Sequence, residues 1–457
     1  MQIPILSGIY ADGKSDFRMS YPVNMKPVIK DTGISKGYLR PVDGVVKTGI
    51  GPGKSRGAIN WDGVHYRVMG SKLCSVNEFG KATIIGDVGD DGEQVSFAYS
   101  FDRLAIASAK ILYYVVNGTL SPVTDPDIGN VLDVVWVDGF FVTTDGAFLV
   151  TTELNNPFEV NPLKYGSSEI DPDPVVGLVK QRNEIYAINR YTIEVFDNLG
   201  GALFPFGRIE GAQIQRGAFG AHNAIAYEGG VAFLGSGVGE SPGIFIASKG
   251  TSQKISSREI DELLASYTEK QLSKVVLEVV NDLNHALLWV RLPDKTLVFD
   301  LQSTQAAGQA VWYIMRSKNG PYRAVDVIWC YNSWGVGDRD STNIGKLDST
   351  ISTHFGDTAM WEFSTKIIYS GSKGAVIHSL ELVGLTSTEA EQGAYISTSY
   401  SLDGRLWSQQ RPVKVGKRMV WRRQGSMRDT RIQKFNGDSR AFLSVARLEA
   451  EIEGLSA

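Results

Sequence analysis

Cys74 and Cys330 are the only cysteines in 457 residues. A disulfide framework is therefore excluded, and so is a zinc site built on cysteine. Both lie in strand-like apolar runs, where a reduced thiol behaves as a small buried hydrophobe. Histidine is nearly as scarce: His65, His222, His285, His354 and His378 fall in different parts of the chain, with no local pair at metal-ligand spacing. Nowhere do about 18 apolar residues run together, so no membrane-spanning helix is expected. The start, "MQIPILSGIYADGKS", has no basic stretch followed by an apolar one. No signal peptide is read there, and synthesis in a cytoplasm is expected. Walker A, Rossmann and nucleophile-elbow patterns are missing. "GSGVGES" (235–241) is glycine-rich, but it lacks the lysine and following helix of a phosphate cradle. No cofactor is expected. A surplus of positive charge is missing too: 46 Lys and Arg stand against 50 Asp and Glu, a formal −4, which is not the balance of a general nucleic-acid binder.

What the chain has in quantity is glycine, 49 residues scattered singly among Val, Ile, Tyr, Phe and Trp. That is the composition of many short strands joined by tight turns. Seven stretches read as two apolar strands around a turn, among them "HYRVMGSKLCSV" (65–76), "RLAIASAKILYYV" (103–115) and "EIYAINRYTIEVFD" (184–197). Their first strands begin near Tyr66, Leu104, Phe141, Ile185, Val231, Ala286 and Trp334, at steps of 37 to 55 residues. Such a period predicts β-propeller blades, six or seven of them, with an array of β-sandwiches as the competing arrangement. The longest step contains "SSREIDELLASYTEKQLSK" (256–274), the one convincing helical stretch. Ser256 with Glu259 is read as a capping box there, and Thr268 with Gln271 as the cap of a second short helix.

After Trp361 the period becomes two, which predicts a C-terminal β-sandwich-like domain over 361–457. The expected division is an extended N-terminal segment (1–50) that completes the propeller or docks elsewhere, a propeller (51–360) with the helical insertion, and this last domain. Within it "KRMVWRRQGSMRDTRIQKF" (417–435) carries seven basic residues against one aspartate. It is read as a hairpin, with Met419 and Trp421 on one face, Arg418, Val420 and Arg422 on the other, and Gly425 near the turn. Arg418, Arg422, Arg423, Arg428 and Arg431 are the candidate contact residues. They face a protein partner, DNA or solvent. Arginine suits the first through bidentate carboxylate pairing, whereas Trp421 and Phe435 alternate like core residues rather than base-stacking platforms.

Catalytic signals are thin. "DPDP" (171–174) and "GDVGDDGE" (86–93) bring acids together, but turn chemistry explains them. "SLDGRLWS" (401–408) is similar to the Asp-box of sialidase-like propellers. It occurs once, with Asp403 and Trp407 one residue too close, and a hairpin with an Asp-Gly turn accounts for it. A carbohydrate-binding or glycan-cleaving propeller stays as the alternative, since scattered carboxylates can converge in space.

A collinear set of stretches resembles the tail nozzle, or packaged-DNA stabilisation, proteins of short-tailed bacteriophages. It runs through "YPVNM" (21–25), "GYLRPVDGVVKTG" (37–49), "SRGAINWDGVHYRVMGSKL" (55–73), "SREIDELLASYTEKQL" (257–272), "HALLWVRLPDKTLVFD" (285–300), "VWYIMRSKNGPYRAVDVIW" (311–329) and the basic stretch 417–435. About 75–255 matches in pattern only. The resemblance implies a structural virion protein rather than an enzyme, located in the tail. It further implies a homo-oligomer, a hexameric ring on the portal–adaptor connector that extends the DNA channel, the adaptor being where residues 1–50 dock if they do not complete the propeller. Tailspikes or fibres, a needle or plug, and the genomic double-stranded DNA passing through are the implied partners.

Overall fold

The computed structural model describes residues 1–11, 16–154, 156–371, 373–386, 390, 393–416 and 418–455. Seven sheets of four or more strands follow one another along it, at 55–87, 96–122, 133–167, 175–208, 217–254, 276–321 and 324–348. Numbered as blades 1 to 7 in that order, each runs antiparallel from an inner to an outer strand. The inner strands Ser55–Trp61, Ser96–Tyr99, Asp133–Val137, Val175–Gln181, Ala224–Tyr227, Val276–Asp282 and Ala324–Cys330 neighbour one another in sequence, and the last returns to the first. The described residues therefore form a seven-bladed β-propeller. All seven hairpins read from the sequence begin in the second strand of a blade.

Local chemistry explains the turns. Asp62–Gly63 and Asn117–Gly118 both have positive φ at each position, the two-residue hairpin turn whose twist matches its strands. Apolar layers between successive blades hold the ring together. Leu104, Ile106, Val68 and Leu73 pack between blades 1 and 2, and Leu234, Leu288, Phe299 and Trp312 between blades 5 and 6. The seam between blades 7 and 1 is different. Its apolar cluster shrinks to Met69, Val76 and Ile344, and polar bonds take over. Arg67 donates to the Asp326 carbonyl at 2.9 Å, Asn60 to the Trp329 carbonyl at 2.8 Å, and the Tyr331 hydroxyl to the Val76 carbonyl at 3.1 Å. Closure comes from the other end of the chain: the strand Gly44–Ile50 pairs antiparallel with Asn343–Asp348 as the outermost strand of blade 7.

Helices α1 (Arg258–Ala265) and α2 (Glu269–Leu272) lie between blades 5 and 6, with Ile260, Leu264 and Leu272 buried against them. Thr268 and Gln271 form the expected capping box. The cap of α1 is Ser257, one residue beyond the expected Ser256, whose hydroxyl is instead bonded to Asp261 and to the Ile244 amide. A third helix, α3 (Leu301–Ala307), was not anticipated. Asp300 caps it and Gly308, in the left-handed region, ends it.

The second domain is a sandwich of two sheets. One has the order Met25–Val28, Tyr38–Pro41, Leu443–Gly454, Ala375–Thr386, Met419–Arg422; the other Met360–Ser364, Thr430–Asp438, Tyr395–Ser401, Arg411–Lys414. Trp361, Phe363, Phe435 and Trp421 stack through its core. Residues 1–50 are thus shared between domains. The strands Gln2–Ile3, Met25–Val28 and Tyr38–Pro41 enter the sandwich, Gly44–Ile50 enters the propeller, and the hairpin Gly8–Ala11/Phe17–Ser20 rests on α1. There the Met19 amide bonds Glu259 at 3.1 Å and the hydroxyls of Tyr21 and Ser257 meet at 2.5 Å. The chain passes between domains at Val23 and Asn24, which bridge Ile314 of blade 6 and Glu362 of the sandwich.

Candidate functional site

Two places concentrate polar chemistry: the propeller axis and the outer edge of the sandwich. Along the axis the seven inner strands enclose a space of about 750 Å³. Tyr99, Trp136 and Lys180 line one end, with the lysine ammonium 4.7 Å from the Trp136 ring centre. Gln94, Asp133, His222, Glu278 and Asp326 line the other. Arg291 joins the last two: one guanidinium nitrogen lies 3.1 Å from Glu278 and 2.9 Å from Asp326. Burial pushes the Glu278 carboxyl above its usual range despite Arg291. Burial acts the same way on Asp326, but the charges of Arg291 and Arg67 outweigh it and hold this carboxyl low. Burial also drives Asp133 up and His222 down, so both favour the neutral form. The two inner carboxylates are therefore fixed on a guanidinium across blades 6 and 7, and the space suits a small molecule or water rather than a duplex. Among the described residues no group of three or more His, Cys, Asp or Glu is placed to hold a metal ion.

The basic stretch is not the expected hairpin. Met419–Arg422 and Ser426–Met427 both pair with the same strand, Ala375–Thr386, so they are one strand interrupted by a bulge. The bulge falls at Arg423 and Gly425, which have φ of 55° and 80°. It is pinned by the Arg423 amide on the His378 carbonyl and the Ile377 amide on the Gly425 carbonyl. The next strand, Thr430–Asp438, then crosses to the opposite sheet. Met419 and Trp421 point into the core as expected, and Arg418, Arg422, Arg423 and Arg428 are exposed. Lys417, the first residue of the stretch, lies outside the described residues.

Arg431 has to be removed from the candidate set. It is fully buried, its guanidinium 3.8 Å from the centre of the Tyr400 ring, donating to the Gln424 carbonyl at 2.6 Å and to Gln433 at 3.1 Å. Burial lowers its pKa to about 10. Arg431 lies on the strand that has crossed to the opposite sheet, and it keeps the inward phase of Met419 and Trp421. Of the remaining four, Arg418 is engaged with Glu381 through two bonds of 2.9 and 3.0 Å. Arg422, Arg423 and Arg428 make no ion pair among the described residues.

Three neighbours were missed. Arg405, Arg411 and Lys414 are exposed on or beside the edge strand Arg411–Lys414 of the facing sheet. Arg411 ties the two edges together by donating to the carbonyls of Arg422 and Arg423, both at 2.8 Å. The signal was Pro412, because a proline inside a strand marks a sheet edge. The acidic motifs are turns, as expected: Asp173 accepts from the Tyr191 and Thr192 amides, and Asp403 from those of Arg405 and Leu406.

Both halves of this architecture match one family. Residues 1–352 match the model described as Bacteriophage P22 Gp10, beta-propeller, and residues 360–453 the model described as Bacteriophage P22 Gp10, beta-sandwich. The chain belongs to the P22 Gp10 family. The tail hub protein gp10 of Salmonella phage P22 is 27% identical over 460 residues, spanning 93% of this chain and 94% of that protein. Among solved structures, the WD40 domain of Neurospora crassa Pan2 gives a TM-score of 0.44 at 10% identity, covering 67% of this chain and 95% of that one. PorZ of Porphyromonas gingivalis gives 0.41 at 11%, covering 80% and 46%.

Proposed function

We propose that this chain is a structural subunit of a short-tailed phage's tail hub, and that it assembles as a ring, six copies by the expectation above, on the portal–adaptor connector. The observation that carries this reading is the match to the P22 tail hub protein, which runs through propeller and sandwich alike and leaves little of either chain uncovered. The role is architectural rather than enzymatic. The inner carboxylates Glu278 and Asp326 are held on Arg291, a pairing that suits ring closure better than proton transfer.

DNA then passes between subunits, not through a propeller, whose axial space of about 750 Å³ is far too small for a duplex. Six copies at −4 each bring −24 to the ring. Each neutralised phosphate adds salt-dependent affinity, so a bore short of basic rings releases the genome readily while the assembled hub retains it until ejection. Spikes or fibres and a needle or plug are the further partners of such a hub.

The test is the mass of the purified protein, alone and mixed with its phage's portal–adaptor complex. Joining that complex in multiples of six is the expected result. A protein that ignores the complex but binds or cleaves a surface glycan would overturn the reading.

A further inference from the structure

The sandwich has two open sheet edges, and they lie side by side. Met25–Val28 and Met360–Ser364 are the edges that meet blade 6 through Val23 and Asn24. Met419–Arg422 and Arg411–Lys414 are the opposite ones. Four strand spacings, roughly 19 Å, separate Met419–Arg422 from the propeller-side edge of its sheet. The open pair is thus the part of the sandwich farthest from its own propeller. Exposed strand edges are sites of association unless blunted, and here Pro412 and a row of cations do the blunting. Arg411, Lys414, Arg418, Arg422 and Arg423 are all exposed along this double edge.

The opposite pole of the molecule is net acidic, with exposed Lys110 beside the acids. In a ring of seven blades, blades 2 and 3 lie across the axis from blade 6. Three connections on one end of that sector expose Asp127, Asp145 and Glu169. They sit between blades 2 and 3, between the second and third strands of blade 3, and between blades 3 and 4, all positions that antiparallel strand order brings to the same end. A Cβ placed on Gly129 would lie 4.0 Å from the Asp145 Cβ, which brings two of these connections into contact. None of the three acids makes an ion pair among the described residues.

We propose that the basic double edge of the sandwich is the docking face for the acidic end of blades 2 and 3 on a second copy of this chain. A closed ring requires every copy to present two different, mutually complementary surfaces. This chain carries such a pair at its two poles, and the proposal rests on the ring reading above. Solvated charge pairs add little affinity each, but they steer encounter and fix register, and like-charged approaches are rejected. DNA is the less suited occupant. Trp421 and Phe435 are committed to the core, and exposed Tyr395, opposite Lys414 on the neighbouring strand, offers one ring rather than the successive platforms that stacked bases use.

Charge reversal on the full chain tests this, read as the mass of the ring formed on the portal–adaptor complex. Arg422→Glu with Arg423→Glu is expected to reduce completed rings at least tenfold, and Asp145→Lys with Glu169→Lys to do the same. Both pairs of changes in one chain restore assembly, and so does an equimolar mixture of the two defective proteins. An unchanged melting temperature shows that each variant is folded. If the wild-type ring forms and the edge variant forms it equally well, the docking face is overturned while the ring stands. The docking face is overturned in the same way if the edge variant fails and neither combination restores it. If the edge variant assembles normally but loses binding to duplex DNA, the face belongs to the genome and the inference is wrong. Failure of the wild-type chain to form any oligomer on the complex removes the ring reading itself.

Discussion

The side chain of Asn24 reads the backbone of Arg316 as a neighbouring strand would: Nδ2 donates to the Arg316 carbonyl at 2.9 Å and Oδ1 accepts from its amide at 2.9 Å. The same Nδ2 donates to the Met360 carbonyl at 2.6 Å. One buried amide thus joins the outer region of blade 6 to the sandwich strand Met360–Ser364, from a residue held at a φ of 53°. Asn24→Ala removes three bonds, strands buried backbone groups and keeps the unfavourable φ. We expect a loss of about 3 kcal/mol, seen in urea unfolding, together with faster proteolysis between the domains. Asn24→Gly relieves the φ strain alone and should recover only a minor part of that loss. Equal stability of Asn24→Ala and wild type would refute the staple.

The seam between blades 7 and 1 is the predicted weak point of the ring. Its apolar cluster is small, and Asp326 of blade 7, at φ 55° in a bulge, meets Arg67 of blade 1 while held from the other side by blade 6, through Arg291 and its own amide donating to Glu278 at 2.6 Å. Removing the cation leaves two buried carboxylates without it. Arg291→Met is expected to cost about 4 kcal/mol. Hydrogen exchange should rise first in Ala324–Cys330 and in the inner strands on either side of it, Val276–Asp282 and Ser55–Trp61. Uniform loss of protection over all seven blades would contradict a seam that opens locally.

Stability should fall with acid on account of His354. Its ring is buried against Tyr322, 4.8 Å between centres, with Nδ1 bonded to Ser317 at 2.8 Å and Nε2 without a partner among the described residues. Burial, aided by the Arg323 charge, drives its pKa from 6.5 to about 4. The unfolded chain then takes up a proton that the folded one refuses. The contribution is complete above about pH 6.5 and is lost as pH falls towards 4, amounting to about 3 kcal/mol. His65 is displaced the same way by burial and by Arg67. Denaturation midpoints at pH 7.5 and 4.5 should therefore differ, and His354→Phe should narrow the gap. No narrowing would assign the acid sensitivity to other groups.

Which parts of this were legible in the sequence follows from burial. The blade signal came from second and third strands, such as Arg103–Ser108 and Ile111–Val116, which are apolar over most of their length and joined by short turns. Inner strands such as Ser96–Tyr99 and Ser55–Trp61 are only partly buried, and outer ones such as Ala82–Asp87 are half exposed, so neither repeats clearly. Closure by Gly44–Ile50 and the entry of Tyr38–Pro41 into the sandwich, Leu39 opposite Val445, pair residues hundreds of positions apart, which no local period records. α3 was hidden because its sequence, "LQSTQAA", carries no amphipathic repeat; only Asp300 and Gly308 at its ends announced it. The basic edge was half visible. Arg418 and Arg422 were read correctly, whereas the bulge at Arg423–Gly425 leaves Arg423 exposed and Gln424 buried before Met427, Arg431 and Phe435 resume the inward phase of Met419 and Trp421.

Alternation puts two arginines nine positions apart in opposite environments. Arg422 is exposed and makes no ion pair among the described residues, so Arg422→Ala should change stability by less than about 0.5 kcal/mol. Arg431 is wholly buried and lies on Tyr400 with no acidic partner among its bonds. Arg431→Ala leaves a cavity, strips the Gln424 carbonyl of its donor and frees one bond of Gln433, which still donates to Thr398 at 2.6 Å. About 4 kcal/mol is the expected cost. Arg431→Met fills most of the volume and removes a cation whose burial is itself unfavourable, and it should recover a good part of the loss. Urea unfolding of the three variants separates the roles. Were Arg422→Ala the more damaging, the division of this stretch into a surface half and a core half would be wrong.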